Sequence, residues 1–235
     1  MKIGIFTDLR YCKQKPIEQT HKTLPSLKKL KETMIAFQKQ NVDLCFCMGN
    51  LVDQTSQKRP EVLECIHEAM ELIRSYEIPF YLVPGPQDHL TVTSAELLER
   101  EELYPTPYSV FTDHSWFLLL NGNHRTDLQY GTDTARKQTE FYLPSQQIEY
   151  LKKQLRMTKN AVLLICQNLD CNVPAKFTLQ NFAEVQKIIL ESGRIRLVLQ
   201  GYYPKGADNV IDGIRYLSVP SMCENESDYF RIVEI

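Results

Sequence analysis

The chain has 235 residues, of which 43% are hydrophobic and 24% charged, and its 27 basic and 29 acidic side chains leave a net charge of -2. That length suits one α/β domain spanning residues 1–235 and is enough to bury a full core. The near balance of charge removes the global field that would attract nucleic acid or an anionic membrane, so neither is expected as a partner.

Apolar strand-like runs alternate with segments of helical period, the pattern of an α/β fold. Residues 2–7 form the first predicted strand. After a basic, Pro-containing loop, Leu24, Leu27, Leu30, Met34 and Phe37 recur at three- and four-residue spacing. They predict a helix with one buried face, with Pro25 tolerated in its first turn. Residues 42–48 make a second strand, and Val62, Cys65, Ile66, Ala69, Leu72 and Ile73 mark a second helix. Residues 78–83 form a third strand, stopped by Pro84-Gly85-Pro86. Short strands follow at 108–111 and 116–120, then a polar stretch over 121–139 without periodicity, which reads as a surface excursion near a site. Leu143-Pro144-Ser145 opens a helix carrying Ile148, Leu151 and Leu155, and a strand covers 161–166. A helix through Phe182, Val185, Ile188 and Ile189 precedes strands at 195–199, 214–218 and 229–235.

The opening apolar run is too short for a signal peptide, and no stretch approaches the ~20 apolar residues of a membrane span. A cytoplasmic protein is expected. The seven cysteines are an odd number. Cys45, Cys47 and Cys166 lie in apolar runs, where thiols behave as small buried hydrophobes, so disulfides are not expected. Cys45 and Cys47 share a strand face, but no Cys-x-x-Cys spacing supports a thiolate metal site.

Five turns, four of them marked by glycine or an amide, follow apolar runs: Asp8-Leu9-Arg10, Gly49-Asn50-Leu51-Val52-Asp53, Gly85-Pro86-Gln87-Asp88, Cys166-Gln167-Asn168 and Gly201-Tyr202-Tyr203-Pro204. In open α/β sheets, sites form where loops leave the carboxyl ends of strands. The order and spacing of these turns resemble the calcineurin-like metallophosphoesterase superfamily, whose motifs run D-x-H, G-D-x-x-D, G-N-H-D, a strand-end H and G-H-x-H. The resemblance covers essentially the whole chain. It implies a four-layer α/β/β/α sandwich with two central mixed β-sheets. Residues 7–11, with the Pro-bearing loop and long helix after them, are similar to the branch of manganese-dependent ADP-ribose and CDP-alcohol diphosphatases.

In active members of that superfamily, carboxylates, Asn and His hold two divalent cations that polarise a phosphoryl group and activate hydroxide. Such a site needs several anionic or imidazole ligands. Here Asp8 stands as the first carboxylate, but Arg10 takes the place of the following His, Asn50 that of the bridging Asp, and Pro86 that of the ligand Asn. Gln87 replaces the His that would protonate the leaving group, and an amide cannot transfer a proton near neutral pH. Gln167, Tyr202 and Pro204 replace the remaining histidines. The resemblance therefore implies a fold whose dinuclear site is degenerate and holds no metal or other cofactor, with Arg10 placing a fixed cation beside Asp8.

Asp53, Asp88, Gly49, Gly85 and Gly201 match family positions that shape turns, and they speak for fold before activity. His89 is weighed as a displaced acid against a hydrogen-bonded turn residue, with the second preferred. Tyr11, Tyr202 and Tyr203 are candidates for an aromatic wall, although adjacent tyrosines cannot face one way, so one must pack. The lysines at 13, 15, 22, 28, 29 and 31 read as a solvated loop and helix face. The expected function is binding of a phosphorylated small molecule, a nucleotide or a protein partner near Asp8, Arg10, Asn50, Gln87, Asp88, His89, Gln167 and Tyr202. The alternatives are a hydrolase using one weakly bound divalent ion, such as manganese, on Asp8, Asn50 and Gln167, and a structural subunit whose cleft is packed shut.

Overall fold

A computed structural model describes residues 1–13, 26–54, 58–89, 91–101, 103–113, 115–124 and 141–235. Its elements in chain order are β1 (Lys2–Phe6), α1 (Ser26–Lys39), β2 (Leu44–Cys47), α2 (Arg59–Arg74), β3 (Phe80–Leu82), α3 (Ser94–Arg100), β4 (Tyr108–Phe111) and β5 (Trp116–Leu120). They continue as α4 (Ser145–Met157), β6 (Ala161–Ile165), α5 (Phe182–Ser192), β7 (Ile195–Gln200), β8 (Ala207–Ile211), β9 (Ile214–Ser218) and β10 (Phe230–Glu234). Single 3-10 turns cover Pro86–His89 and Ala175–Phe177.

The strands form two mixed sheets, one ordered β10-β1-β2-β3 and the other β4-β5-β6-β7-β9-β8. Within the first, β1, β2 and β3 run parallel while β10 lies antiparallel on β1, with Lys2 opposite Glu234. Within the second, β5, β6, β7 and β9 are parallel, and β4 and β8 are antiparallel edges. Strand alternation assigns each side chain to a layer. Ile3, Ile5, Phe46, Phe117 and Leu119 belong to a core that continues onto α4 and α5 through Ile148, Leu151, Val185 and Ile189. Phe6, Cys45 and Cys47 point the other way, into a second core with Leu30, Met34 and Phe37 of α1 and Val62, Ile66 and Ile73 of α2. The result is the four-layer α/β/β/α sandwich with two mixed sheets that the sequence implied.

The predicted strands and helices are present with ends shifted by a residue or two. The structure adds α3, capped by the Thr93 hydroxyl accepting from the Glu96 N–H, and β8, joined to β9 by a two-residue Asp212-Gly213 turn with both φ values positive. That is the hairpin turn whose twist matches paired strands. No disulfide joins any of the seven cysteines, and burial pushes the Cys45 thiol up to about 12. Among the described residues no helix is long and apolar enough to cross a membrane. Leu24, Pro25, Lys15, Lys22 and most of the 121–139 excursion lie outside the described residues.

One reading is corrected. Lys29 does not stand on a solvated face: it is buried, donating to the carbonyls of Met222 at 2.8 Å and Asn225 at 2.7 Å, with its ammonium over the Tyr229 ring. Lys28 does stand exposed, near Glu32.

Candidate functional site

The five turns sit together at the carboxyl ends of β1, β2, β3, β6 and β7, and a sixth, Asn121-Gly122-Asn123-His124, follows β5. Their backbones interlock. The Asp8 N–H donates to the Gly49 carbonyl at 3.0 Å, Arg10 N–H to Asn50 at 2.9 Å, and Gly201 N–H to Cys166 at 3.0 Å. Asp8, Arg10, Asn50 and Tyr202 adopt φ values of 51°, 44°, 56° and 63°. Positive φ in non-glycine residues is uncommon and clusters where surrounding bonds over-determine it.

Asp88 is the organiser of two turns. Its carboxylate, fully buried, accepts from the backbone N–H groups of Asn50 at 2.8 Å, Leu51 at 3.0 Å and Gly85 at 2.8 Å. Burial, with some help from Asp8, pushes its pKa up to about 6 against the pull of those three donors. Asn50 then bridges: its Nδ2 donates to Asp8 Oδ1 at 2.6 Å and its Oδ1 accepts from the Gln87 N–H at 2.9 Å. Arg10 Nε lies 3.4 Å from the same Asp8 oxygen, with both side chains nearly buried. Asp53 is buried nearby, its N–H bonded to the Tyr11 carbonyl.

A second set of bonds joins the β3, β5 and β6 turns. Asn123 Nδ2 donates to the Pro84 carbonyl at 2.6 Å and, at 3.1 Å, to His89 Nε2, while Asn123 Oδ1 accepts from Gln167 Nε2. Burial, and then the neighbouring His124, push the His89 pKa down to about 3, which keeps this imidazole neutral at pH 7. The Gln167 Oε1 atom is buried without a hydrogen-bond partner among the described residues. Asn168 ties the last turns together, donating to Gly201 O at 3.0 Å and accepting from the Ser218 hydroxyl.

Asp8, Arg10, Asn50, Gln87, Asp88, His89 and Gln167 are thus brought into one buried cluster. Tyr202 is turned into the core, edge-on to Phe141 and Phe177, while Tyr203 rests half-buried against Phe177. Tyr11 donates its hydroxyl to Glu68 at 2.7 Å instead of joining an aromatic wall. Sequence reasoning missed Asn123, His124 and Asn121. The available signal was the polar, Gly-containing turn immediately after the apolar run 116–120, the same sign that marked other site turns. Among the described residues no group of three or more His, Cys, Asp or Glu converges as a metal site would require.

The same fold is found in solved structures of phosphatases that share little sequence with this chain. The chain superposes on a dimetal phosphatase from Danio rerio with a TM-score of 0.83 at 12% sequence identity, over 98% of this chain and 91% of that one. GAP50, the anchor in the inner membrane complex of Plasmodium, matches with a TM-score of 0.64 at 11% identity over 99% and 80% of the two chains. The phosphopantetheinyl hydrolase from Mycobacterium tuberculosis matches with 0.59 at 11% over 99% and 95%. Neither a protein-family model nor a curated relative matches the sequence.

Proposed function

We propose that this metallophosphoesterase-fold chain works by binding a partner without hydrolysing phosphoesters, its former dinuclear metal site rewired into a closed ion-pair and hydrogen-bond cluster. The observation that carries this reading is the engagement of Asp8: the oxygen that would face a cation accepts from Asn50 at 2.6 Å and lies 3.4 Å from Arg10. Two divalent ions would have to displace both donors and sit against a permanent guanidinium charge, with neutral amides as the remaining ligands. The residues present do not fit a dinuclear centre. The leaving-group acid of the family pattern is replaced as well, because Gln87 carries no transferable proton, and burial favours neutral His89 beside it.

A protein is the favoured partner, because the polar groups of the cluster are spent on one another and buried. A neighbour of the same fold is described as an anchor, which agrees with a holding role but says nothing of this chain's partner. A single weakly bound ion on Asp8, Asn50 and Gln167 is the second reading, favoured by the unpartnered Gln167 Oε1. One orphan amide oxygen supplies no anionic company for it.

Incubation with manganese, zinc or iron, then desalting and elemental analysis, should find no stoichiometric metal, and p-nitrophenyl phosphate and ADP-ribose should not be turned over with added manganese. Two metals per chain, or metal-dependent turnover lost in Asp8→Ala, would overturn the proposal. A thermal-shift screen of nucleotides and sugar phosphates separates the ligands: stabilisation by one of them would move the assignment from a protein to a phosphorylated small molecule.

A further inference from the structure

A groove of about 390 Å³ lies between α4 and α5. Each helix runs back from the site loops to the start of the next strand, Ala161 for α4 and Ile195 for α5. Their last turns, which line the groove, are therefore at the far end of the molecule from Gln167 and Gly201. Lys152, Leu155 and Arg156 come from α4 at i, i+3 and i+4, and Ile188 and Glu191 from α5 at i and i+3, with Arg194 just beyond. Leu155 is buried and Ile188 half-buried, so the floor is aliphatic and the rim charged.

The rim is unevenly satisfied. Lys152 pairs with Glu149 at 2.8 Å and Glu191 with Lys187 at 3.8 Å. Arg156 and Arg194 are exposed and make no salt-bridge contact among the described residues, although the Arg156 charge acts on Glu149 at longer range. The two helices and the turns after them carry Lys152, Lys153, Arg156, Lys159, Lys187 and Arg194 against Glu149, Glu184 and Glu191, in a chain whose net charge is -2. Positive charge is thus concentrated along the rim of a groove whose aliphatic floor is exposed mainly at Ile188.

We propose that this groove docks an acidic amphipathic helix of a partner protein, with its aliphatic side chains on Leu155 and Ile188 and its carboxylates on Arg156 and Arg194. A helix laid in a two-helix groove presents side chains at the same three- and four-residue spacing that the groove offers. Exposed guanidinium forks without a contacting carboxylate match carboxylates in pairs, which fixes the sign of the partner's charge. The groove stands apart from the former metal site, so this proposal survives or fails independently of the catalytic reading.

The test is methyl NMR on the full chain, titrated with a synthetic helical peptide of leucine and glutamate at heptad spacing, with a leucine–lysine peptide and inorganic phosphate as separate probes. The glutamate peptide should shift the Leu155 and Ile188 methyls. Its affinity should fall about tenfold or more in Arg156→Glu/Arg194→Glu, and likewise at about 1 M salt, where charges are screened beyond a few ångströms. Both positions are exposed, so the variant's thermal unfolding should match the parent's. The proposal is overturned if the lysine peptide binds equally well, if the double reversal leaves affinity unchanged, or if phosphate alone reproduces the shifts. Self-association that the double reversal abolishes would also overturn it, since the occupant would then be a second copy of this chain.

Discussion

Arg10 changes what Asp8 can do. A carboxylate that faces a fixed cation 3.4 Å away, with an amide donor at 2.6 Å, is already neutralised without any ion from solution. Removing the guanidinium leaves a nearly buried charge with one neutral donor, so Arg10→Ala should destabilise the fold by about 1 to 3 kcal/mol. Urea unfolding of Arg10→Ala, Asp8→Asn and the double variant measures the coupling, and additive single effects would show that the pair does not interact. His89 supplies a pH dependence. Its folded pKa of about 3 lies below the ordinary 6.5, so the unfolded chain takes up a proton across that window while the folded chain does not. Stability from this group is therefore lost as pH falls from about 6.5 towards 3. Asp88, pushed up to about 6, acts in the reverse sense, its ionisation costing stability as pH rises from about 4 to 6. The informative quantity is thus a difference between variants. Relative to the parent, His89→Gln should gain on the order of 2 kcal/mol on going from pH 8 to pH 5. A pH-independent difference would mean that the imidazole titrates as if solvated.

Among the elements, two glycines are needed for different reasons. Gly213 has φ of 76° in the β8–β9 turn and open space around it, so Gly213→Ala meets only a backbone penalty of about 1 kcal/mol. Gly201 has no such φ, but a Cβ there would come within 2.5 Å of Thr7 Oγ1 and 2.9 Å of the Met48 carbonyl. Gly201→Ala should cost about 3 kcal/mol, because the β7 turn cannot retreat without parting from β1 and β2. Urea midpoints of the two variants decide this, and equal losses would contradict it. The same contrast explains what could be read in advance. Strands β1, β2, β5 and β6 are buried on nearly all of both faces and appear as continuous apolar runs, and the turns after β1, β2 and β6 helped to locate the site, whereas the turn after β5 was missed. Strand β8 is an edge, with Val210 exposed and Asp208 bonded to Arg215, so no apolar alternation announces it and only Asp212-Gly213 does. Helix α3 had its own signal in Thr93 and Glu96, one cap in a short polar segment. Lys29 was illegible because the carbonyls that hold it, Met222 and Asn225, are distant in sequence. Asn123 was hidden because an amide donor looks like any loop residue until His89 and Gln167 close on it.

Over the whole molecule, the site turns are fastened from the far end of the chain. The Met222 and Cys223 N–H groups donate to the carbonyls of Thr7 and Asp8, and Lys29 grips Met222 and Asn225 from α1. Strand β1 is interior to its sheet, flanked by β2 on one side and β10 on the other. Deleting residues 230–235 should therefore remove a pairing partner from a central strand, and we expect loss of cooperative unfolding together with aggregation, followed by circular dichroism and light scattering; a soluble, two-state product would refute this. The register that sets Lys2 against Glu234 also fixes an order of events during synthesis. Strand β1 stays incomplete while β2 to β9 are made, because its antiparallel partner β10 follows them all in the chain. Nascent chains stalled before Phe230 should be cut readily by protease and held by chaperones, and chains extended until Phe230–Glu234 has cleared the ribosome should become resistant in one step.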